Sequence, residues 1–535
     1  MTMYGYIYKD LTDSEKRARR EALDGAGIDV FMSQIVLFIA ICVFRALFPH
    51  HRKNAVEWFL LKPISLKYPI LKTPAHWLVI GTWMSYCFFL VLRNTGDDYL
   101  HLTKAFGTVA VANLPFHFLF ASKRFILAPL LSTSYESLNF FHRWLGRIIT
   151  ILLSGHAFLY LNFFYDTNRL TNRFLENDVQ WGFWSYLIFT TISSSANHWV
   201  REWSYRLFYT LHITLPMLLF PMLYFHVSHL RPYLIAGIAF YIIDHILRYF
   251  ARTSGTIKIR RVTPNLIALT FTPKKYITIP AGSHALLNIP SLSSFASNPF
   301  SIAAASSAPG GPIKMVARVR NGTTKKLAAM KGADTIDAVL ESPYGAFTAA
   351  NTTSLITRDV KKVIIIAGGV GGTFATFWVP TLVKKLGKER VRFVWSVRTI
   401  DDVMWAFEEN ENADNEDREK IADVLEIHLT GSKDQLKRID KDHESVELST
   451  GLLVNSKTDA VAELGKVGIR KERIKTGRPK VRALVEKTVE ETGVEGRTLV
   501  LVCGPGRMGG VAKKVVAEQG MKGRDVYVHV EEFGH

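Results

Sequence analysis

Apolar residues in the first half of the chain gather into long unbroken runs instead of alternating or recurring at helical intervals. Residues 28–48 read IDVFMSQIVLFIAICVFRALF and residues 76–92 read HWLVIGTWMSYCFFLVL, with further runs at 105–121, 140–163, 179–193, 205–227 and 232–250. A helix needs roughly 20 mostly apolar residues, about 17 to 25, to cross a bilayer. The pattern therefore predicts seven spans. The 179–193 segment is the weakest, because it is short and runs into Ser193, Ser194 and Ser195. Beyond Arg252 the texture changes: TIKIRRV and LIALTFT alternate like strands, Pro and Gly punctuate, and no later run reaches spanning length. The chain thus divides into a tail (1–27), a membrane half (28–250) and a water-soluble half (256–535). The acidic stretch EENENADNEDREK at 408–420 reads as a solvated loop or insertion without chemistry.

Composition fits this division. Apolar residues are 48% and charged residues 21% of the 535, with a mean hydropathy of +0.10, which excludes a disordered chain and is high for a soluble one. Three cysteines, Cys42, Cys87 and Cys503, cannot build a disulfide scaffold. A net charge of +19 raises the question of nucleic acid, but much of the excess sits beside apolar runs, so no nucleic-acid partner is expected and membrane lipid is.

Lys and Arg in short loops mark the cytosolic side. They fill the 49–75 loop (Arg52, Lys53, Lys62, Lys67, Lys72), the 121–139 loop (Lys123, Arg124), the 194–204 loop (Arg201) and the exit of the last span (Arg248, Arg252, Lys258, Arg260, Arg261). The loop between spans two and three is acidic at Asp97 and Asp98. The soluble half is therefore expected in the cytosol. Seven spans then put the N-terminus across the membrane, in conflict with Lys16, Arg17, Arg19 and Arg20. No cleavable signal peptide is evident, since the first apolar run starts late and lacks a small-residue cleavage site.

Histidine is costly inside a bilayer and seldom there without a task. The fourth span carries His142 and His156, the sixth His212 and His226, and both pairs are 14 residues apart. At about 100° and 1.5 Å per residue, 14 steps return to roughly the same helix face about 21 Å further on. Two such helices side by side would oppose His142 to His212 and His156 to His226. Each pair would then supply both axial nitrogens of one haem. A lone His in a span reads more readily as a satisfied polar group; four at matched spacing reverse that preference. His117, His229 and His245 have no such mate, and Arg143 and Arg147 suit haem propionates or the positive-inside tendency equally.

HRWLGR, the two His-x13-His helices and the soluble half resemble the fungal ferric reductase and NADPH oxidase superfamily over roughly residues 76–535. Length and the seven-span plan are most similar to its short fungal "probable metalloreductase" branch. The resemblance implies a multi-pass α-helical transmembrane bundle followed by a ferredoxin-reductase-like module, with a β-barrel FAD domain (256–352) and an α/β NAD(P)H-binding domain (360–535). It implies electron flow from NADPH through FAD and two b-type haems to an acceptor across the membrane, with no catalytic acid, base or nucleophile. Three functions follow: a metalloreductase for ferric or cupric ions, a superoxide-generating NADPH oxidase using O2, or a non-catalytic haem-carrying partner. The family branch favours the first. A homo-oligomer or an accessory membrane subunit stays open, as does plasma membrane against endoplasmic reticulum.

In the soluble half, SNPFSIAAAS (297–306) resembles the family's His-Pro-Phe-Ser/Thr motif, which carries Pro299, Phe300 and Ser301 to the flavin; Asn298 departs from the usual His. Gly322, Thr323 and Thr324, beside Lys325 and Lys326, read as a backbone cradle for the FAD pyrophosphate or as a plain hairpin turn. Tyr344 and Gly345 resemble a turn that closes the barrel. KKVIIIAGGVGGTFATF (361–377) reads as a buried strand, a glycine turn and a helix start, with Gly368, Gly369, Gly371, Gly372 and Thr373 at the nucleotide phosphates. Arg398, after the next strand, suits a 2′-phosphate or is a plain surface arginine. Cys503, Gly504 and Pro505 are similar to the family's Cys-Gly-Pro signature near the nicotinamide. Phe533 resembles its near-terminal aromatic over the flavin, and 477–479 (GRP) looks like a minor family element.

Overall fold

The computed structural model describes residues 5–48, 53–66, 72–125, 127–131, 133–292, 297–306, 310–330, 335–345, 347, 355–356, 359–407, 415–431, 465 and 467–531. The chain forms two compact units: Met1–His50 with Trp77–Phe250, and His51–His76 with Ala251–His535.

The first unit is helical. Its elements are α1 (Asp13–Leu47), α3 (Pro74–Leu92), α4 (Tyr99–Ala112), α5 (Leu114–Ala121), α6 (Tyr135–Asp166), α7 (Asn177–Ser195), α8 (Tyr205–His226) and α9 (Arg231–Phe250), while α2 (Ala55–Leu61) belongs to the second unit. Asp13–Leu47, Pro74–Leu92, Tyr135–Asp166, Tyr205–His226 and Ser228–Phe250 are long and apolar enough to cross a bilayer. The other two expected spans fall short for local reasons. Residues 99–121 break at Asn113, ahead of Pro115, and α7 carries polar residues at both ends. Asn113 is a buried knot: its side chain accepts from Gln34 at 2.8 Å and Trp83 at 3.0 Å and donates to the Val109 carbonyl at 2.7 Å. Val36, Leu37 and Ile39 of α1 stay exposed, as a lipid-facing surface would.

α1 starts well before the apolar run, because Thr12 and Glu15 form a capping box. The cations of that early turn are answered by the acidic loop. Arg19 pairs with Asp98 at 3.1 Å, Lys9 pairs with Asp97, and Ile7 forms a β-bridge with Asp98. The charge conflict read from the sequence is thus local: the basic tail lies with the acidic turn between the second and third long helices.

The second unit holds a closed barrel ordered β1-β2-β5-β4-β3-β6 and a parallel sheet ordered β10-β9-β8-β7-β11-β12. The barrel strands are β1 (Arg252–Thr263), β2 (Leu266–Pro273), β3 (His284–Asn288), β4 (Ser297–Ala305), β5 (Ile313–Arg318) and β6 (Ile336–Tyr344). The sheet strands are β7 (Val360–Gly368), β8 (Val391–Val397), β9 (Leu425–Leu429), β10 (Ile474–Thr476), β11 (Arg497–Cys503) and β12 (Val526–Glu531). Runs such as VIIIA and LVLV are fully buried, as central parallel strands require. Of the acidic stretch expected as a loop, 408–414 lies outside the described residues, whereas 415–420 begins the helix Asn415–Val424, which buries Ile421, Ala422 and Val424. Helix α2 packs on the last long helix of the sheet domain (Gly506–Met521): Trp58 is 6% exposed and lies over Gly520, where a Cβ would meet its Nε1 at 2.3 Å. Lys62 pairs with Glu518 at 3.3 Å alongside.

Candidate functional site

The two histidine pairs come together as helices α6 and α8. The His142 and His212 ring centres stand 6.0 Å apart at 82°, and those of His156 and His226 stand 6.4 Å apart at 80°. These rings do not bond each other. Two imidazoles that each place a nitrogen roughly 2 Å from one shared metal sit about 6 Å apart, centre to centre.

The other ring nitrogens are tied down. His142 Nδ1 donates to the His117 carbonyl at 2.9 Å, His156 Nδ1 to the Thr103 carbonyl at 2.8 Å and His226 Nδ1 to the Asp178 carbonyl at 2.7 Å. That leaves Nε2 free to ligate, as where a metal-binding histidine is oriented by a hydrogen bond from its other ring nitrogen. His212 differs, with a buried Nδ1 that meets no hydrogen-bond partner among the described residues. Glycines make the room: a Cβ at Gly107 would lie 2.8 Å from His156 Nδ1, and one at Gly182 would lie 2.5 Å from His226 Cε1. The donor set, its spacing and this cradle fit two bis-His haems.

Sequence reasoning missed His117. Its ring stacks on His142 at 4.0 Å and 20°, and Gly146 leaves space for it. Lacking a periodic mate, it gave no signal in the chain. Arg201 was read only as a loop cation, yet it acts electrostatically on Arg143, Arg147 and His212, forming a cationic group at the end of the bundle that carries the first pair. His229 is bonded to Arg20, and His245 Nδ1 donates to the Tyr241 carbonyl; neither faces a second imidazole across a gap.

In the barrel, Pro299, Phe300 and Ser301 lie on β4, where Ser301 is registered opposite His284 of β3. Asn298 donates to Thr323 Oγ1 at 3.2 Å, so the residue that departs from the family motif binds the neighbouring cradle. Gly322 has φ +95° and caps the helix Thr323–Ala329, so the NGT segment starts a helix and is not a hairpin turn. The Thr324 hydroxyl is taken up by the main chain of Arg320. A cavity of about 700 Å³ lies beside this turn, lined by Val319, Arg320, Asn321 and Lys325.

In the sheet domain, β7 ends in the glycine turn and the helix Gly372–Leu386 follows. A Cβ at Gly371 would lie 2.0 Å from the Cys503 carbonyl, and one at Gly372 would lie 2.0 Å from Trp395. These glycines therefore let β11 and β8 close on the turn, while Gly369, at φ +55°, opens into free space. Thr373 is fully buried and its hydroxyl donates to the Val370 carbonyl, leaving only main-chain N–H for a phosphate. Arg398 is exposed just past β8.

Cys503 is buried at the end of β11, registered beside Glu531 of β12. Burial, and then the Glu531 carboxylate, push its thiol well above the usual range. Glu531 also lies 2.9 Å from His529 Nε2 and 3.8 Å from His284 Nδ1, and His529 stacks on Phe347 at 4.8 Å. Sequence reading missed this carboxylate–imidazole group, whose only trace is the acidic pair before the terminus. Phe533 lies outside the described residues.

Comparison with known proteins agrees with this division. Residues 106–223 match the family model "Ferric reductase like transmembrane component", 252–348 match "FAD-binding domain" and 360–517 match "Ferric reductase NAD binding domain". A probable ferric reductase transmembrane component of Candida albicans is 25% identical over 57% of this chain and 46% of its own. Ferric/cupric reductase transmembrane component 2 of Saccharomyces cerevisiae is 25% identical over 75% of this chain and 56% of its own. Ferric reductase transmembrane component 5 of that yeast is 24% identical over 94% of this chain and 72% of its own. The chain spans about half the length of the first two.

Proposed function

We propose that this chain, which joins a ferric-reductase-like transmembrane component to FAD-binding and ferric reductase NAD-binding domains, is a transmembrane metalloreductase. It takes electrons from cytosolic NADPH and delivers them across the bilayer to ferric or cupric ions. The observation that carries this reading is the pair of imidazole gaps, 6.0 and 6.4 Å, stacked along α6 and α8, with the outer nitrogens of His142, His156 and His226 fixed by main-chain carbonyls. When bound, FAD converts a two-electron hydride into single electrons and the two haems carry them across the hydrocarbon.

The protein's own residues orient and exclude. His117, Thr103 and Asp178 hold Nδ1 of His142, His156 and His226 through their carbonyls, so Nε2 of these rings would be the atom that holds an iron. An imidazole from each helix would hold such an iron and leave it no place for a further ligand. Arg143, Arg147 and Arg201 supply positive charge for propionates beside the His142 pair. The main-chain amides at Gly322 and at the start of the helix Gly372–Leu386 suit the pyrophosphates of FAD and of NADPH, and Arg398 suits the 2′-phosphate.

Two features support a cytosolic soluble half, in plasma membrane or endoplasmic reticulum. Residues 53–66 of the basic 49–75 loop pack in the same unit as the barrel and the sheet domain, through Trp58 and Lys62, while the acidic Asp97–Asp98 turn keeps the N-terminal tail. The chain's likeness to ferric and ferric/cupric reductase transmembrane components favours metal over O2 as acceptor. Supplying NADPH and comparing ferric-chelate reduction under nitrogen with superoxide yield in air tests the choice. Strong metal reduction is expected; robust superoxide with negligible metal reduction would identify an oxidase, and neither product would identify a non-catalytic haem partner.

A further inference from the structure

Helix α9 does not close on α8 along its whole length. Phe118 of α5 stands in the way: its ring meets that of Phe220 on α8 at 5.1 Å, and Gly237 of α9 rests against the same ring, where a Cβ would lie 3.2 Å from Cδ2. Phe220 also lines a cavity of about 300 Å³ between the two helices. Pro221, Tyr224 and Phe225 complete the α8 wall, and Ile235 and Ile238 face them from α9. On α8 these positions recur one turn apart, so one face of the helix forms the wall. Tyr224, Phe225 and Ile235 are exposed, so the cavity opens outward, where the hydrocarbon of a bilayer would lie.

A charge stands at its rim. Arg231, the first residue of α9, lays its guanidinium over the Tyr224 ring at 4.2 Å and donates from Nε to the Tyr224 carbonyl at 3.1 Å. These contacts leave both of its Nη groups without a hydrogen bond or ion pair among the described residues. The cavity itself is lined by apolar and aromatic side chains, and water inside it would find too few polar partners to stay. Left empty, its walls would lose their dispersion contacts. Acyl chain is the material at hand in a membrane, and Arg231 selects the kind of molecule that brings it. A guanidinium fork matches the charge and geometry of a phosphodiester, whereas a sterol hydroxyl brings no charge to answer it.

We propose that the gap between α8 and α9 is a specific lipid site, which takes one acyl chain of a glycerophospholipid while Arg231 holds its phosphodiester. The site runs along the last turns of α8 before His226, and Trp181 of α7 meets its Phe225 at 5.7 Å. A lipid seated there braces this end of α8 and stays with the protein. The lipid over the exposed Val36, Leu37 and Ile39 of α1 meets no such cation-rimmed cavity and exchanges freely.

The test uses the full chain with its cofactors, washed in detergent and then offered micelles doped with equal amounts of palmitoyl-oleoyl phosphatidylcholine and cholesterol. Native mass spectrometry counts the molecules that stay bound. Wild type is expected to keep a single phosphatidylcholine per chain and no cholesterol. Arg231→Gln should keep about tenfold less, the loss of a charge-assisted hydrogen bond, and Arg231→Lys should recover part of it. Ile238→Trp, which fills the cavity, should expel the lipid, whereas Ile246→Trp, at an exposed position further along α9, should not. Should Ile238→Trp fail to fold, the Arg231 pair carries the test alone. Cholesterol in place of phosphatidylcholine, no retained lipid in wild type, equal retention in wild type and Arg231→Gln, or equal loss from Ile246→Trp would each overturn the site.

Discussion

Replacing Gly182 by alanine perturbs the His156–His226 pair without touching either imidazole. The new Cβ would lie 2.5 Å from His226 Cε1 and 2.9 Å from Nδ1, inside ordinary contact distance. The imidazole cannot simply back away, because Asp178, one turn earlier on α7, holds its Nδ1 at 2.7 Å. The ring must either break that bond or tilt Nε2 off the axis shared with His156. Overpacking of this kind costs about 1–3 kcal/mol, which converts to a roughly 5- to 150-fold weaker hold on the second haem. The expected outcome is a chain that keeps one low-spin haem at the His142 pair and loses most of the other. Haem-to-protein ratio and reduced-minus-oxidised spectra of purified Gly182→Ala read it directly. Retention of both haems with unchanged spectra would mean that His226 is not held between Gly182 and the Asp178 carbonyl as described.

Three further outcomes follow from the second unit. Trp58→Ala removes the buried contact of α2 with Gly520 and should cost about 3–5 kcal/mol of that unit's stability, read by thermal unfolding, with proteolytic nicking of the 49–75 loop as a second measure. Glu426 is pushed up by burial but pulled well below the carboxylate range by His428, Lys475 and Arg392. A depressed carboxyl stabilises above its unfolded value and loses that contribution as pH falls through the folded one. The stability gap between wild type and Glu426→Gln should therefore be full at neutral pH and shrink below about pH 4; a gap independent of pH would be against it. The Cys503 thiol, buried and raised, should alkylate far more slowly than a free thiol at pH 8, measured by mass spectrometry.

Much of this was legible in the chain because it is written in local periodicity. The 14-residue His spacing needs only helix geometry to place both rings on one face, and the buried strand before GGVGG needs only its apolar run. What escaped is what tertiary packing decides. His117 became a partner of His142 through the break at Asn113, and no spacing rule records that. Glu531 meets His284 only because β12 returns to the barrel. Thr373 sits at a helix start yet turns its hydroxyl inward to Val370. The basic N-terminal tail conflicts with a global charge rule until its partners, Asp97 and Asp98, are found 79 to 88 residues away in the chain.

In the proposed function, electrons cross the membrane along the two histidine pairs. Vesicles holding the protein with its dehydrogenase unit outward, loaded with a ferric chelate and a trapped ferrous indicator, test it when NADPH is added outside. Ferrous colour is predicted inside the vesicles, abolished by His156→Ala. Colour that persists in His156→Ala, or that forms only when the chelate shares the NADPH side, would contradict it.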